Sequence, residues 1–139
     1  MAAEILSPSP ANIRTVADCV RSGGVGVVPS DTNMALTVAA DHPEAIERVY
    51  DIKDRPRHKP LTLFVREPSD WRRFGSHDNP ELVDRLSEQF WPGPLNLVLE
   101  RDAPELAEQC ATDGTVSAGW LANPVWREVA GAGRGPVAM

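Results

Sequence analysis

Ala45-Ile46-Glu47-Arg48-Val49-Tyr50-Asp51-Ile52-Lys53 runs into Asp54-Arg55-Pro56-Arg57-His58-Lys59-Pro60 and then into Leu61-Thr62-Leu63-Phe64-Val65, and this passage decides the fold. The first segment sets Ile46, Val49 and Tyr50 on one face of a helix. The last is nearly continuous in apolar character, the pattern of a strand buried on both faces and so central in its sheet. A helix handing over to a central strand is the building step of an α/β domain. The connector, counted from Lys53, carries four fixed cations, Lys53, Arg55, Arg57 and Lys59. It begins where a helix ends and is suited to holding anions.

The alternation continues on both sides. Ser9-Pro10 reads as an N-cap and first helical residue, with Ile13, Val16, Ala17 and Val20 on one face until Gly23-Gly24 stops the helix. Val25 to Val28 is a short β-branched run closed by Pro29. It delivers Ser30-Asp31-Thr32 to a strand end, where ligand chemistry tends to gather in α/β sheets. Asp41 with Glu44 reads as a capping box and Pro43 suits the first turn of the helix that reaches Lys53. Asn79-Pro80 opens another helix with Leu82, Val83, Leu86 and Phe90 inward, and Trp91-Pro92-Gly93-Pro94 ends it before a strand from Leu95 to Leu99. A strand at Thr115-Val116-Ser117, a helix from Pro124 to Ala130 and a last strand at Pro136-Val137-Ala138 complete the reading. With no repeat or linker, 139 residues at 42% apolar content suit one domain over residues 1–139. The expected architecture is helices packed on a twisted, mostly parallel or mixed sheet.

Charge is distributed unevenly. Between Arg48 and Arg73 lie eight of the 14 Lys and Arg residues against four acids, while the other six cations face sixteen of the 20 acids. A basic island in a chain of net charge −6 focuses its field locally and favours a phosphate-bearing ligand over general attraction to a polyanion. A pI near 5.0 argues against a nucleic-acid binder of the whole-surface kind. Cys19 and Cys110 fit neither metal-ligand spacing nor a disulfide framework, and read as reduced packing residues. The N-terminus lacks the basic start and apolar run of a signal peptide and no stretch has the length of a membrane span, so a cytoplasmic protein is expected.

Several chemistries are excluded by context. Gly23-Gly24-Val25-Gly26 precedes a strand and lacks the Gly-Lys-Ser/Thr ending of a P-loop, and Gly131-Ala132-Gly133-Arg134-Gly135 follows a helix instead of opening one, so both read as turns. His42, His58 and His77 are scattered, and no metal site is expected. No serine lies in a nucleophile elbow. Ser30, Asp31 and Thr32 offer two hydroxyls and a carboxylate that can orient an amine or coordinate a hydrated cation, but in isolation they read rather as a polar turn that caps itself.

Taken in order, Gly23-Gly24, the following strand, Pro29-Ser30-Asp31-Thr32, the passage Ala45 to Pro56, Lys59-Pro60-Leu61 and Phe90-Trp91-Pro92-Gly93-Pro94-Leu95 closely resemble the YrdC-like family, the threonylcarbamoyl-adenylate synthases. The resemblance covers about residues 13 to 139. It implies an open, twisted mixed sheet with helices packed on it and a concave, positively charged cleft. The implied reaction joins the amine of L-threonine to bicarbonate as a carbamate, which attacks the α-phosphate of ATP and expels pyrophosphate, with Mg²⁺ as a transient helper. The product serves a tRNA modification, with tRNA or its modification proteins as partners. Lys53, Arg55 and Lys59 match the family's phosphate-binding positions, with Lys53 and Arg55 as the catalytic pair. Ser30, Asp31 and Thr32 match the amino-acid and carbamate pocket.

Departures from the family pattern bear on substrate. Where the family reads Pro-Thr-Asp-Thr-Val-Tyr-Gly-Leu, this chain has Pro29-Ser30-Asp31-Thr32-Asn33-Met34-Ala35-Leu36. A flexible thioether side chain thus replaces tyrosine and Ala35 replaces glycine, which suggests an altered pocket. Gly119 stands where an arginine is usual, and losing one charge-assisted bond typically costs about 1.5–3 kcal/mol, or about one to two decades in affinity. The sequence reaches Met139 just before the Ser-x-Asn motif by which the family also contacts nucleotide. A diverged paralogue and a chain whose remaining ligands lie beyond Met139 are both consistent with this. The alternatives are a non-catalytic nucleotide- or double-stranded-RNA-binding paralogue, a related enzyme acting on a different amine, and a structural partner that docks another subunit through Trp71 or Trp120.

Overall fold

Four helices each begin at a proline in the first turn, which sets φ for the helix and removes an amide that would have no partner there. They are α1 (Pro10–Arg21), α2 (Pro43–Lys53), α3 (Pro80–Phe90) and α4 (Pro124–Gly131). The strands are β1 (Gly26–Pro29), β2 (Met34–Ala39), β3 (Leu63–Phe64), β4 (Gly75–Ser76), β5 (Gly93–Arg101), β6 (Thr115–Trp120) and β7 (Val137–Ala138). The computed structural model describes residues 2–106, 108–133 and 135–139. Arg134, within the second glycine-rich turn of the sequence reading, lies outside them.

The strands form one sheet in the order β1-β2-β7-β3-β6-β5-β4. Only β3 and β6 pair in parallel; the other neighbours are antiparallel. The sheet is therefore mixed, as the resemblance implied, and of the two arrangements open to the sequence it is not the mostly parallel one. β1 returns directly as the hairpin strand β2, and β5 and β6 also run antiparallel. β2 itself was not anticipated, because Met34-Ala35-Leu36-Thr37-Val38-Ala39 has no clean period of two.

The expected centrality of Leu61–Val65 holds, in a shorter ladder. β3 is fourth of seven strands, and its two residues point to opposite faces. Leu63 enters a core with Ile46, Val49, Tyr50, Trp71 and Leu99, whereas Phe64 enters one with Val20, Trp126, Val129 and Val137. Helices α2 and α3 contribute to the first core, and α1 packs on α4 over the second. Backbone bonds from Leu61 to Gln109, between Thr62 and Met139, and from Val65 to Gly119 extend the pairing beyond the two ladder residues.

Some local expectations required correction. The N-cap of α2 is His42, which makes no side-chain cap bond, and no Asp41–Glu44 capping box forms because Asp41 lies one position too early. Its ring Nε2 instead contacts the Arg21 carbonyl at 3.1 Å. On α3 the buried residues are Val83 and Ser87, with Leu86 half-buried, while Leu82 and Phe90 face outward at 43% and 48% exposure. Cys110 is buried as expected, but Cys19 is exposed. Trp71 is 2% exposed and Trp120 half-buried, so Trp71 has no face to offer a partner.

Candidate functional site

The loop between β1 and β2 folds around one hydroxyl. Ser30 Oγ donates to the Asn33 carbonyl at 2.8 Å and accepts from the amides of Asn33 and Thr32 at 3.1 and 3.3 Å. The self-capping turn is therefore real, and it uses the bonding capacity of Ser30. Asp31 is committed elsewhere: its carboxylate accepts from the amides of Ala122 (3.1 and 2.9 Å) and Asn123 (2.8 Å). That tie fixes the hairpin loop against the segment leading into α4. Thr32 remains exposed, 3.4 Å from Ser30 Oγ.

These residues line a hollow of about 260 Å³ together with Lys53, Thr62, Phe64, Asn96, Leu121 and Met139. Lys53 is the last residue of α2, and the left-handed Asp54 (φ 47°) turns the chain away after it. Among the described residues, the Lys53 ammonium, the Thr62 hydroxyl and the Asn96 amide have no side-chain hydrogen bond or ion pair. The hollow thus pairs one free cation with neutral groups that donate and accept.

Arg55 and Lys59 do not line it. The expectation that the cations at 53, 55 and 59 share one hollow with Ser30 and Thr32 is corrected to Lys53 alone. The physical reason is that the connector folds on itself. Arg55 donates to the carbonyls of Lys59 (3.1 Å) and Pro60 (2.8 Å), satisfying acceptors that the proline-rich turn leaves without amide partners. The single hydroxyl proton of buried Tyr50 is shared between the carbonyls of Lys59 (2.7 Å) and Gln109 (3.1 Å). Burial pushes the Tyr50 hydroxyl above its ordinary value of 10.0, against the opposing pull of Arg55, so it stays a donor. Arg57 pairs with Glu47 and Asp51 and lies 5.1 Å over the Tyr50 ring.

A larger groove of about 670 Å³ borders the other side of this connector, lined by Glu47, Arg57, Arg101, Glu108, Gln109 and Asp113 among others. Size does not make it the site. Arg57 is paired with two carboxylates, and Arg101 donates to the carbonyls of Ala103, Pro104 and Leu106. The charge of Arg57 is thus already met, and Arg101 spends its Nε and one terminal nitrogen on backbone. Among the described residues no three His, Cys, Asp or Glu side chains gather as a metal set. With Asp31 committed to amides, the described lining of the hollow leaves no side-chain carboxylate to hold a Mg²⁺ ion, and such an ion would accompany the phosphates of its nucleotide. Among the described residues no helix is long and apolar enough to cross a membrane.

The position lacking the expected arginine has been closed by its neighbours. Gly119 pairs with Phe64 on one side and Asn96 on the other. A Cβ at Gly119 would meet Asn96 Oδ1 at 2.7 Å and Phe64 Cε1 at 2.8 Å. No larger side chain fits there without displacing them. The reading of the sequence passed over Asn96 and Thr62. The available signal was a single amide between Leu95 and Leu97 in an apolar strand.

An open mixed sheet carrying a polar hollow at its strand ends, with a lysine delivered to it by a helix C-terminus, defines an α/β domain of the YrdC-like kind. The Sua5/YciO/YrdC family model, described as telomere recombination, matches residues 18–139, and the chain belongs to that family. A threonylcarbamoyl-AMP synthase of Pyrococcus abyssi is 30% identical over 102 residues, which is 73% of this chain and 29% of that protein. The crystal structure of P. abyssi Sua5 complexed with L-threonine superposes with a TM-score of 0.84 at 25% identity, covering 97% of this chain and 39% of that one. Escherichia coli YciO superposes with a TM-score of 0.80 at 25% identity, covering 95% of this chain and 64% of that one. The chain therefore spans well under half of these P. abyssi proteins, 29% of the synthase in the sequence match and 39% of the Sua5 chain in the superposition.

Proposed function

We propose that residues 1–139 act as a single YrdC-like domain that forms a carbamoyl-adenylate from ATP, bicarbonate and an amino acid, L-threonine by family, for tRNA threonylcarbamoyladenosine modification in the cytoplasm. The observation that carries this reading is the hollow lined together by Lys53, whose ammonium has no partner among the described residues, and by Ser30 and Thr32. The relative crystallised with L-threonine supports an amino acid as the occupant.

In this reaction the amine and bicarbonate condense to a carbamate with loss of water. A carbamate oxygen then bonds to the α-phosphorus while the bond to the β-phosphate oxygen breaks, and pyrophosphate leaves with the electron pair. No covalent nucleophile from the protein is required. The chain's task is to hold charge and exclude wrong geometries. Lys53 neutralises an anionic group in the hollow, and Thr32 offers a donor beside it. Lys59, exposed on the connector and without a side-chain partner among the described residues, is available to phosphates outside it. Arg55 holds the connector in shape and presents its remaining donors alongside. Asp31 contributes by fixing the loop, and Ser30 by closing it.

The test is pyrophosphate release by the purified chain with ATP and Mg²⁺. Release that requires both L-threonine and bicarbonate is expected; release indifferent to both refutes the assignment. Gly119, at the position of the family's arginine and with no space for a larger side chain, favours one second reading, a non-catalytic nucleotide- or double-stranded-RNA-binding module. RNA affinity falling steeply with salt, with no pyrophosphate release, would establish that alternative.

A further inference from the structure

Asn96, Gly119 and Phe64 form one row across β5, β6 and β3. Directly paired residues place their side chains on the same face of a sheet, so the amide and the ring meet over the glycine. The contacts of 2.7 and 2.8 Å to a notional Cβ leave no space for a methyl group between them. The missing side chain at 119 is therefore what admits the Asn96 amide to the hollow. There it has no protein partner among the described residues, and its donors and acceptor are available to a ligand.

Charge and size restrict that ligand. Lys53 is the free cation of the hollow, and the Asp31 carboxylate is bound by two amides. A ligand with one anionic group is matched, whereas a second carboxylate would be desolvated without a counter-charge. A volume of about 260 Å³ lies below the range typical of drug-sized ligands and suits an amino acid better than a whole nucleotide. Phe64, Leu121 and Met34 supply apolar contact.

We propose that Asn96, seated over Gly119, is the specificity residue of the hollow. With Thr62 beside it, Asn96 selects an amino acid whose side chain is small, uncharged and capable of hydrogen bonding. This rests on the hollow being the amino-acid pocket. A purely apolar pocket cannot strongly distinguish a hydroxyl from the isosteric methyl group; the exposed Asn96 amide can do so modestly, because a methyl group facing it displaces water without replacing its hydrogen bond.

L-Threonine and its isostere L-valine separate the possibilities in calorimetric titration of the whole chain. The wild type is expected to bind threonine about tenfold more tightly, the worth of one neutral hydrogen bond at a partly hydrated site. Asn96→Ala should weaken threonine alone and bring the two affinities within about threefold. Gly119→Ala should act likewise by displacing the amide. Because a buried glycine is replaced, only a variant that melts with wild-type cooperativity is scored, and Asn96→Ala, at an exposed position, carries the test. A threonine-to-valine ratio unchanged in Asn96→Ala, or a wild type that binds both equally, overturns the assignment of Asn96. A wild type that binds neither amino acid overturns the amino-acid pocket itself, and the assignment with it.

Discussion

Asp31 tests whether the hollow is built by its loops or merely bordered by them. Its carboxylate takes three short contacts from the Ala122 and Asn123 amides, at 3.1, 2.9 and 2.8 Å. A hydrogen bond to a charged group is worth about 1.5–3 kcal/mol net. Ala122 is exposed and Asn123 half-buried, so water replaces part of what Asp31→Ala removes. The lower end, about 1.5 kcal/mol, is therefore the expected loss. A chain of 139 residues has an unfolding entropy of about 0.29 kcal/mol/K. The melting temperature should then fall by about 5 °C in Asp31→Ala, and by about half as much in Asp31→Asn, which keeps one acceptor oxygen. Circular dichroism melts measure this directly. The tie also positions Ser30–Asn33 against Leu121 around the hollow, so amino-acid affinity should weaken alongside stability. A variant that melts like the wild type while losing amino-acid binding would refute the reasoning and make Asp31 a direct ligand.

Lys53→Ala and Arg55→Ala should behave differently although both remove one charge. Lys53→Ala is expected to lower pyrophosphate release by about one to two decades with an unchanged melting temperature, because the exposed ammonium has no partner among the described residues. Arg55→Ala should lower both, since the Pro60 carbonyl loses its donor and the Lys59 carbonyl keeps only Tyr50; equal melting temperatures for the pair would reject the bracing role. Cys110 is fully buried, and burial pushes its thiol from an ordinary 9.0 up to about 11. The folded state thus keeps this proton after the unfolded chain has released it. Stability from this group is complete below pH 9.0 and declines as pH rises toward about 11, by on the order of 2–3 kcal/mol in total. Urea titrations on either side of that window should show the decline in the wild type and lose it in Cys110→Ala. At neutral pH a thiol reagent should modify exposed Cys19 and leave Cys110 intact until unfolding; equal reaction of both would contradict the burial.

Local chemistry in the sequence determined the helices and the family. Ser9 and Asn79 cap α1 and α3 as their side chains predict, because a cap needs only neighbours three residues away. The apolar run of Leu61–Val65 similarly identified a central strand, since a segment without a polar face has to be covered twice. The ordered basic and Trp-Pro-Gly-Pro motifs were sufficient to expect the YrdC-like fold. Tertiary structure alone decided how identical charges are used. Lys53, Arg55 and Arg57 lie within five residues of one another, yet the first is free, the second braces backbone carbonyls and the third pairs with Glu47 and Asp51. Likewise the tie of Asp31 to residues about ninety positions away, and the row of Phe64, Gly119 and Asn96, exist only once strands distant in sequence lie side by side. A side chain's type sets what it can bond, but its partners are set by packing, and packing brings together residues that no local pattern relates.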